Sequence, residues 1–144
     1  MILYLDTNVL VYSIAANDDL REPTQRWLDW HTQQPGALLV TSRLTVLEAL
    51  VGPIKISDKA RLRRTEAALD SLLILDLDDG VIRRAAQIRA THGVRTPDAL
   101  HLATATEAQA DIYLTGDRRL KAYRGVRVAD VLRDKPGPTQ RNSG

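Results

Sequence analysis

Short apolar runs alternate with helical periodicity along this chain. Residues 2–5 form the first apolar run, which stops at Asp6 and reads as a buried strand. A helix is expected over 8–16, a turn at 17–19, and a second helix over 23–34, stopped by Pro35 and Gly36. Residues 37–41 are the second strand. Ser42 can cap a helix over 43–51, which Gly52 and Pro53 are expected to end. A charged helix follows from a cap at Ser57 or Asp58 to Leu72, and 73–77 is the third strand. Residues 79–92 read as a helix with Gly93 as its C-terminal cap. Thr96, Pro97 and Asp98 open another helix, to about residue 109, with Thr96 as cap and Pro97 in the first turn. Residues 111–115 form the fourth strand and Gly116 the turn after it. A short helix and a small strand at 126–128 finish the pattern.

Strands alternating with helices predict an α/β fold, a mainly parallel sheet of four to five strands covered on both faces. In such sheets ligands bind beyond the carboxyl ends of the strands. Four acids fall where that rule points. Asp6 follows the first strand and Asp117 lies just past the fourth. Asp98 opens the helix leading into the fourth strand, and Glu48 lies on the helix after the second. Glu48 shares a helix face with Leu44 and Val51, where an unpaired carboxylate would carry a desolvation cost. Asp6 and Asp117 also suit plain helix caps, and Asp98 suits the first turn of a helix. Crowded together, four carboxylates repel and call for a cation. Their oxygen donors suit Mg2+ or Mn2+. Such a site favours phosphodiester hydrolysis.

Composition narrows the alternatives. The 144 residues fit one domain, 44% hydrophobic and 26% charged. The absence of cysteine excludes disulfides, zinc–thiolate sites and a cysteine nucleophile, and makes a cytoplasmic location the expectation. Neither a signal peptide nor a membrane span is expected. No phosphate-binding Gly-rich loop, dinucleotide fingerprint or Gly-x-Ser-x-Gly elbow is present. His31, His92 and His101 show no ligand spacing. His101, one turn after Asp98, can touch the site, although packing is the simpler role. Net charge is +2, yet basic residues cluster at 59–64, at 83–95 and from Arg118 onward. Each cluster fits either a solvated face or a phosphate contact. Arg83, Arg84, Arg118 and Arg119 flank the acids in sequence and are candidates for contact with a phosphate backbone.

Asp6, Thr7 and Asn8 near the start, Glu48 before Ala49, the segment 96–105, and Thr115, Gly116 and Asp117 together resemble a PIN domain. The resemblance covers about residues 1–132, and the polar segment 133–144 is expected to be a disordered tail. Length and N-terminal start are similar to the VapC toxin of VapBC toxin–antitoxin pairs. The resemblance implies a three-layer α/β/α fold and Mg2+- or Mn2+-dependent RNA cleavage. It also implies frequent homodimers and inhibition by a cognate antitoxin. It gives Asp6, Glu48, Asp98 and Asp117 the catalytic and metal-binding roles, and Thr7, Asn8 and Thr115 the shaping of the site. A non-catalytic PIN-like RNA-binding or scaffold module remains the alternative. A haloacid-dehalogenase-type phosphatase needs a second Asp where this chain has Asn8.

Overall fold

A computed structural model describes residues 1–137 of the chain. Five parallel strands form one sheet in the order β3-β2-β1-β4-β5. They are β1 (Ile2–Leu5), β2 (Leu38–Ser42), β3 (Leu73–Leu75), β4 (Ile112–Thr115) and β5 (Val128–Asp130). The helices are α1 (Thr7–Ser13), α2 (Asp18–Thr32), α3 (Arg43–Lys55), α4 (Lys59–Asp70), α5 (Asp79–His92) and α6 (Thr96–Glu107). A short 3-10 helix covers Arg118–Ala122. The layering is the expected α/β/α arrangement. No helix among the described residues is long and apolar enough to cross a membrane.

Side-chain alternation assigns each strand residue to a face. Leu3, Leu5, Ile112 and Leu114 point to one side and pack with Val9 and the fully buried Trp27. Tyr4 and Tyr113 point to the other side, among Ala99, Leu102, Val81 and Ile88 of α5 and α6. A third cluster of Leu10, Ala49 and Leu69 ties α1, α3 and α4 together. The short apolar runs are thus strands buried on both faces, as a parallel sheet requires.

The sequence reading missed several boundaries, each for a local reason. Helix α2 starts five residues before Pro23. The Asn17 side chain accepts from the Asp19 N–H, and Asp18 and Asp19 sit favourably in the first turn. Pro23 therefore lies inside a helix that its neighbours sustain. Gly52 and Pro53 do not end α3, which continues to Lys55 with Pro53 buried. A Cβ at Gly52 would stand 3.2 Å from Arg61 Nη2, so the glycine makes room for the arginine of α4. Arg95, not Thr96, is the N-cap of α6, and no side chain caps that helix. The last strand lies two residues later than expected, paired to β4 through Tyr113 and Val128.

The segment after residue 132 was expected to be disordered. Its first residues are tied to the body. The Trp27 indole donates to the Asp134 carbonyl at 3.1 Å, and Lys121 pairs with the Asp134 carboxylate at 2.5 Å. Residues 138–144 lie outside the described residues.

This packing separates two leucines that look alike in sequence. Leu114 is fully buried, whereas Leu47 is 62% exposed. Leu114→Ala should cost about 2–5 kcal/mol in urea unfolding, and Leu47→Ala should stay within about 0.5 kcal/mol. Equal costs would contradict this assignment of the core.

Candidate active site

The acids named from sequence meet at the carboxyl edge of the sheet. Asp6, Glu48, Asp98 and Asp117 line one cleft of about 480 Å3, with Thr7, Asn8, Arg95 and His101 among its other walls. The fold explains the convergence. Strand β1 lies between β2 and β4, so the chains leaving the three strands emerge side by side.

Asp6 is the buried floor of the cleft, only 6% exposed. It caps α1, with Oδ1 accepting the Thr7 N–H at 2.8 Å. Its Oδ2 accepts the Thr115 hydroxyl at 2.8 Å. Thr115 in turn accepts the Asp117 N–H at 3.0 Å. The Asn8 carbonyl oxygen accepts the Gly116 N–H at 2.9 Å. A Cβ at Gly116 would stand 2.8 Å from the Tyr12 ring, so the loop passes close to α1 only because it carries glycine there. Thr7 donates its hydroxyl to Glu48 Oε1 at 2.8 Å. Thr7, Asn8 and Thr115 therefore connect the three chain segments that carry Asp6, Glu48 and Asp117.

Glu48 departs from its sequence rationale. The buried stripe of α3 is Thr45, Ala49 and Pro53, and Val51 is 52% exposed. The Glu48 side chain is 33% exposed. It belongs to the cleft because it faces His101, not because it is trapped on an apolar face. His101 Nε2 lies 2.5 Å from Glu48 Oε1. That hydrogen bond is the main reason the Glu48 carboxyl titrates below its ordinary range, against the opposing effect of burial.

Asp98 and Asp117 are held by arginines. Arg95 Nε lies 3.3 Å from Asp98 Oδ2. Arg119 grips Asp117 with Nε at 2.9 Å and Nη2 at 2.7 Å, and this fork lowers the Asp117 pKa. Asp117 also caps the 3-10 helix by accepting the Arg119 N–H. Both arginines also line a groove of about 200 Å3 beside the cleft. Arg83 and Arg84 do not share this setting. Arg83 pairs with Asp79 on its own helix, and Arg84 pairs with Glu107. Glu107 stands at the far end of α6, about 14 Å along the axis from Asp98. Sequence proximity misplaced them, and Arg95 is the residue it overlooked.

Two buried phenols lie beneath the acids. Tyr4 and Tyr113 stack with ring centres 5.0 Å apart. Burial, and next the Asp6 carboxylate, push both phenols well above their ordinary range. Among the described residues the Tyr113 hydroxyl has no hydrogen-bond partner within normal geometry, and it faces the underside of Asp6 rather than the cleft.

The donor set fits a hard divalent cation: carboxylate oxygens and no thiol. Among the described residues, no three His, Asp or Glu side chains are already gathered as a ligand group. The acids share a cleft but not a common point, so the close convergence suggested by the sequence is not present. Each carboxylate instead accepts from protein donors close to its own element.

A family model for the PIN domain matches residues 3–126, and the chain belongs to that family. Comparison with curated proteins gives no match. Among solved structures, FitAcB from Neisseria gonorrhoeae is 26% identical with a TM-score of 0.73, covering 92% of this chain and 99% of that one. FitAB bound to a DNA fragment is also 26% identical, with a TM-score of 0.76 and coverage of 94% and 98%. A toxin–antitoxin complex from Klebsiella pneumoniae shares the fold at 22% identity and a TM-score of 0.70, covering 90% and 97%.

The Arg119 fork carries a pH prediction. A lowered carboxylate contributes stability that is complete above its unfolded pKa and is lost as pH falls through the folded value. For Asp117 that loss lies below the ordinary range near about pH 3.9. Arg119→Ala should return the Asp117 pKa toward that value in a carbon-detected NMR titration. An unmoved Asp117 would remove Arg119 as the cause.

Proposed function

We propose that this chain is a metal-dependent endoribonuclease and the toxin of a type II toxin–antitoxin pair. The observation that carries the reading is the single cleft lined by Asp6, Glu48, Asp98 and Asp117 at the carboxyl edge of a PIN-family sheet. Mg2+ or Mn2+ bound there would offset negative charge on the scissile phosphate and favour attack by water at neutral pH.

The protein's own residues supply the rest. Asp6 gives a rigid anchor, because its backbone and both of its carboxylate oxygens are held by neighbouring elements. Glu48, Asp98 and Asp117 extend from helices or a loop and complete the ligand set. Asp98 and Asp117 would hold a cation by giving up their pairs with Arg95 and Arg119. Arginines released in this way stand at the edge of the same cleft, where they can pair with backbone phosphates. The cleft is open, which suits single-stranded or looped RNA.

The partner reading draws on a second surface. Leu47, Val51 and Ile54 form an exposed apolar stripe on α3, beginning beside Glu48. Trp27 is fully buried and takes no part in this surface. The FitAcB, FitAB and Klebsiella pneumoniae structures resemble this chain over almost its whole length. An antitoxin segment could cover the α3 stripe and send an arginine to the acids in place of the cation. A homodimer is the expected assembly, and the cytoplasm the expected site of action.

Three outcomes test these points. RNA cleavage should require Mn2+ or Mg2+ and stop with EDTA, and Asp98→Asn should slow it by about two to three orders of magnitude with folding intact. Wild-type rates from Asp98→Asn would remove that residue from the mechanism. RNA affinity should fall with salt, and Arg95→Ala or Arg119→Ala should each reduce the salt slope by about one; an unchanged slope places the RNA path elsewhere. In its host, the chain expressed alone should arrest growth, Asp6→Ala should not, and the antitoxin encoded beside it should restore growth. Harmless expression would count against the toxin role while leaving the nuclease role standing.

A further inference from the structure

The side chain that orients Glu48 is itself built into the core. His101 is 2% exposed and lies on α6, one turn past Asp98. The Tyr4 hydroxyl meets His101 Nδ1 at 2.7 Å, and His101 Nε2 meets Glu48 Oε1 at 2.5 Å. Thr7 adds a hydroxyl donor to the same Oε1 at 2.8 Å. Asp6 Oδ1 lies 3.8 Å from Nε2, on the floor of the same cleft. We propose that His101, backed by Tyr4, is a positioning residue that fixes the Glu48 carboxylate for cation binding. This rests on the nuclease reading above.

An ionised carboxylate only accepts, so His101 Nε2 carries the hydrogen in the Glu48 contact, and in the neutral ring Nδ1 is the acceptor. A phenol donating to Nδ1 leaves the Nε2–H to donate to Glu48. The imidazole cannot swing away, because Tyr4 is fully buried and stacked on Tyr113. Glu48 needs such a clamp. Its side chain is partly exposed on a helix, and a glutamate there loses substantial rotamer freedom when fixed. Both of its protein donors act on Oε1, and Oε2 accepts no hydrogen bond among the described residues. A cation can thus take Oε2 while His101 and Thr7 hold the other oxygen. A ligand oriented by a donor behind it is the usual outer-shell design of metal sites.

A purely structural role predicts a loss of stability and nothing else. Calorimetry with Mn2+ separates the two. His101→Ala should weaken Mn2+ binding about 10- to 100-fold. Tyr4→Phe, which removes one hydroxyl and keeps the ring stack, should weaken it about 3- to 10-fold. His101→Gln retains an N–H donor and should recover part of the affinity. In a Glu48→Gln background, neither Tyr4→Phe nor His101→Ala should weaken binding further, because both act through Glu48. If His101→Ala fails to fold, Tyr4→Phe in the two backgrounds carries the test. Undiminished Mn2+ affinity in Tyr4→Phe and in any folded His101→Ala overturns the positioning role. So does an equal loss in the presence and absence of the Glu48 carboxylate. Wild-type protein that binds no Mn2+ overturns both this role and the nuclease reading.

Discussion

The convergence of four carboxylates on one cleft is the constraint around which this structure is organised. The sheet creates the problem by its topology. With β1 flanked by β2 and β4, the chain segments that carry Asp6, Glu48 and Asp117 leave the same edge together. The helix opening with Asp98 returns to that edge as well. Every donor around the cleft can be understood as a response. Thr115 and the Thr7 N–H serve Asp6, His101 and Thr7 serve Glu48, Arg95 serves Asp98, and Arg119 serves Asp117. The compensation is local: each acid has its own donors.

The responses differ in stiffness. Asp6 sits at the end of a central strand, with its backbone N–H bonded to the Leu114 carbonyl at 3.0 Å. Its donors are a buried threonine and a helix terminus, which cannot move without disturbing the core. Arg95 and Arg119 are about three-quarters exposed and can let go of their acids at little cost. Glu48 is intermediate: the carboxylate is partly solvated, but its histidine is not. The site therefore combines a fixed floor with an adjustable rim. That combination is compatible with the proposed binding of a cation and an anionic substrate at one cleft.

Much of this was legible in the residues. Buried strands were visible because their apolar runs were short and bounded by Asp6, Asp117 and glycines. The four acids were visible because strand ends are where such folds place chemistry. Helix ends were misread where the local signal was outweighed. Pro23 and Pro53 look like boundaries, but Asn17 supplies a cap further back, and α4 packs against the Gly52 turn of α3. Glu48 was selected for the wrong reason, since a helical wheel cannot say which flank of an apolar stripe meets a cleft. Arg83, Arg84 and Arg95 look equivalent as a cluster. Only the packing of α5 on α6 reveals that Arg84 reaches Glu107, away from the acids, while Arg83 pairs with Asp79 on its own helix. The Tyr4–His101 bond spans 97 positions of sequence and leaves no local trace.

Capping and the proposed metal binding are compatible roles for the same acids. A carboxylate offers about four acceptor sites. Asp6 uses one on the Thr7 N–H that starts α1 and another on Thr115. Asp117 accepts the Arg119 N–H that starts the 3-10 helix, as well as the guanidinium fork. Each cap fixes the carboxylate relative to a strand end, which is also what a ligand needs. Because the guanidinium is exposed and the backbone is not, a cation reaching Asp117 would displace the fork before the cap. The element that ends the strand and the element that holds the ligand are then one residue. A substitution such as Asp to Ala at either position removes both at once, whereas Asp to Asn keeps an oxygen for the cap and withdraws only the charge.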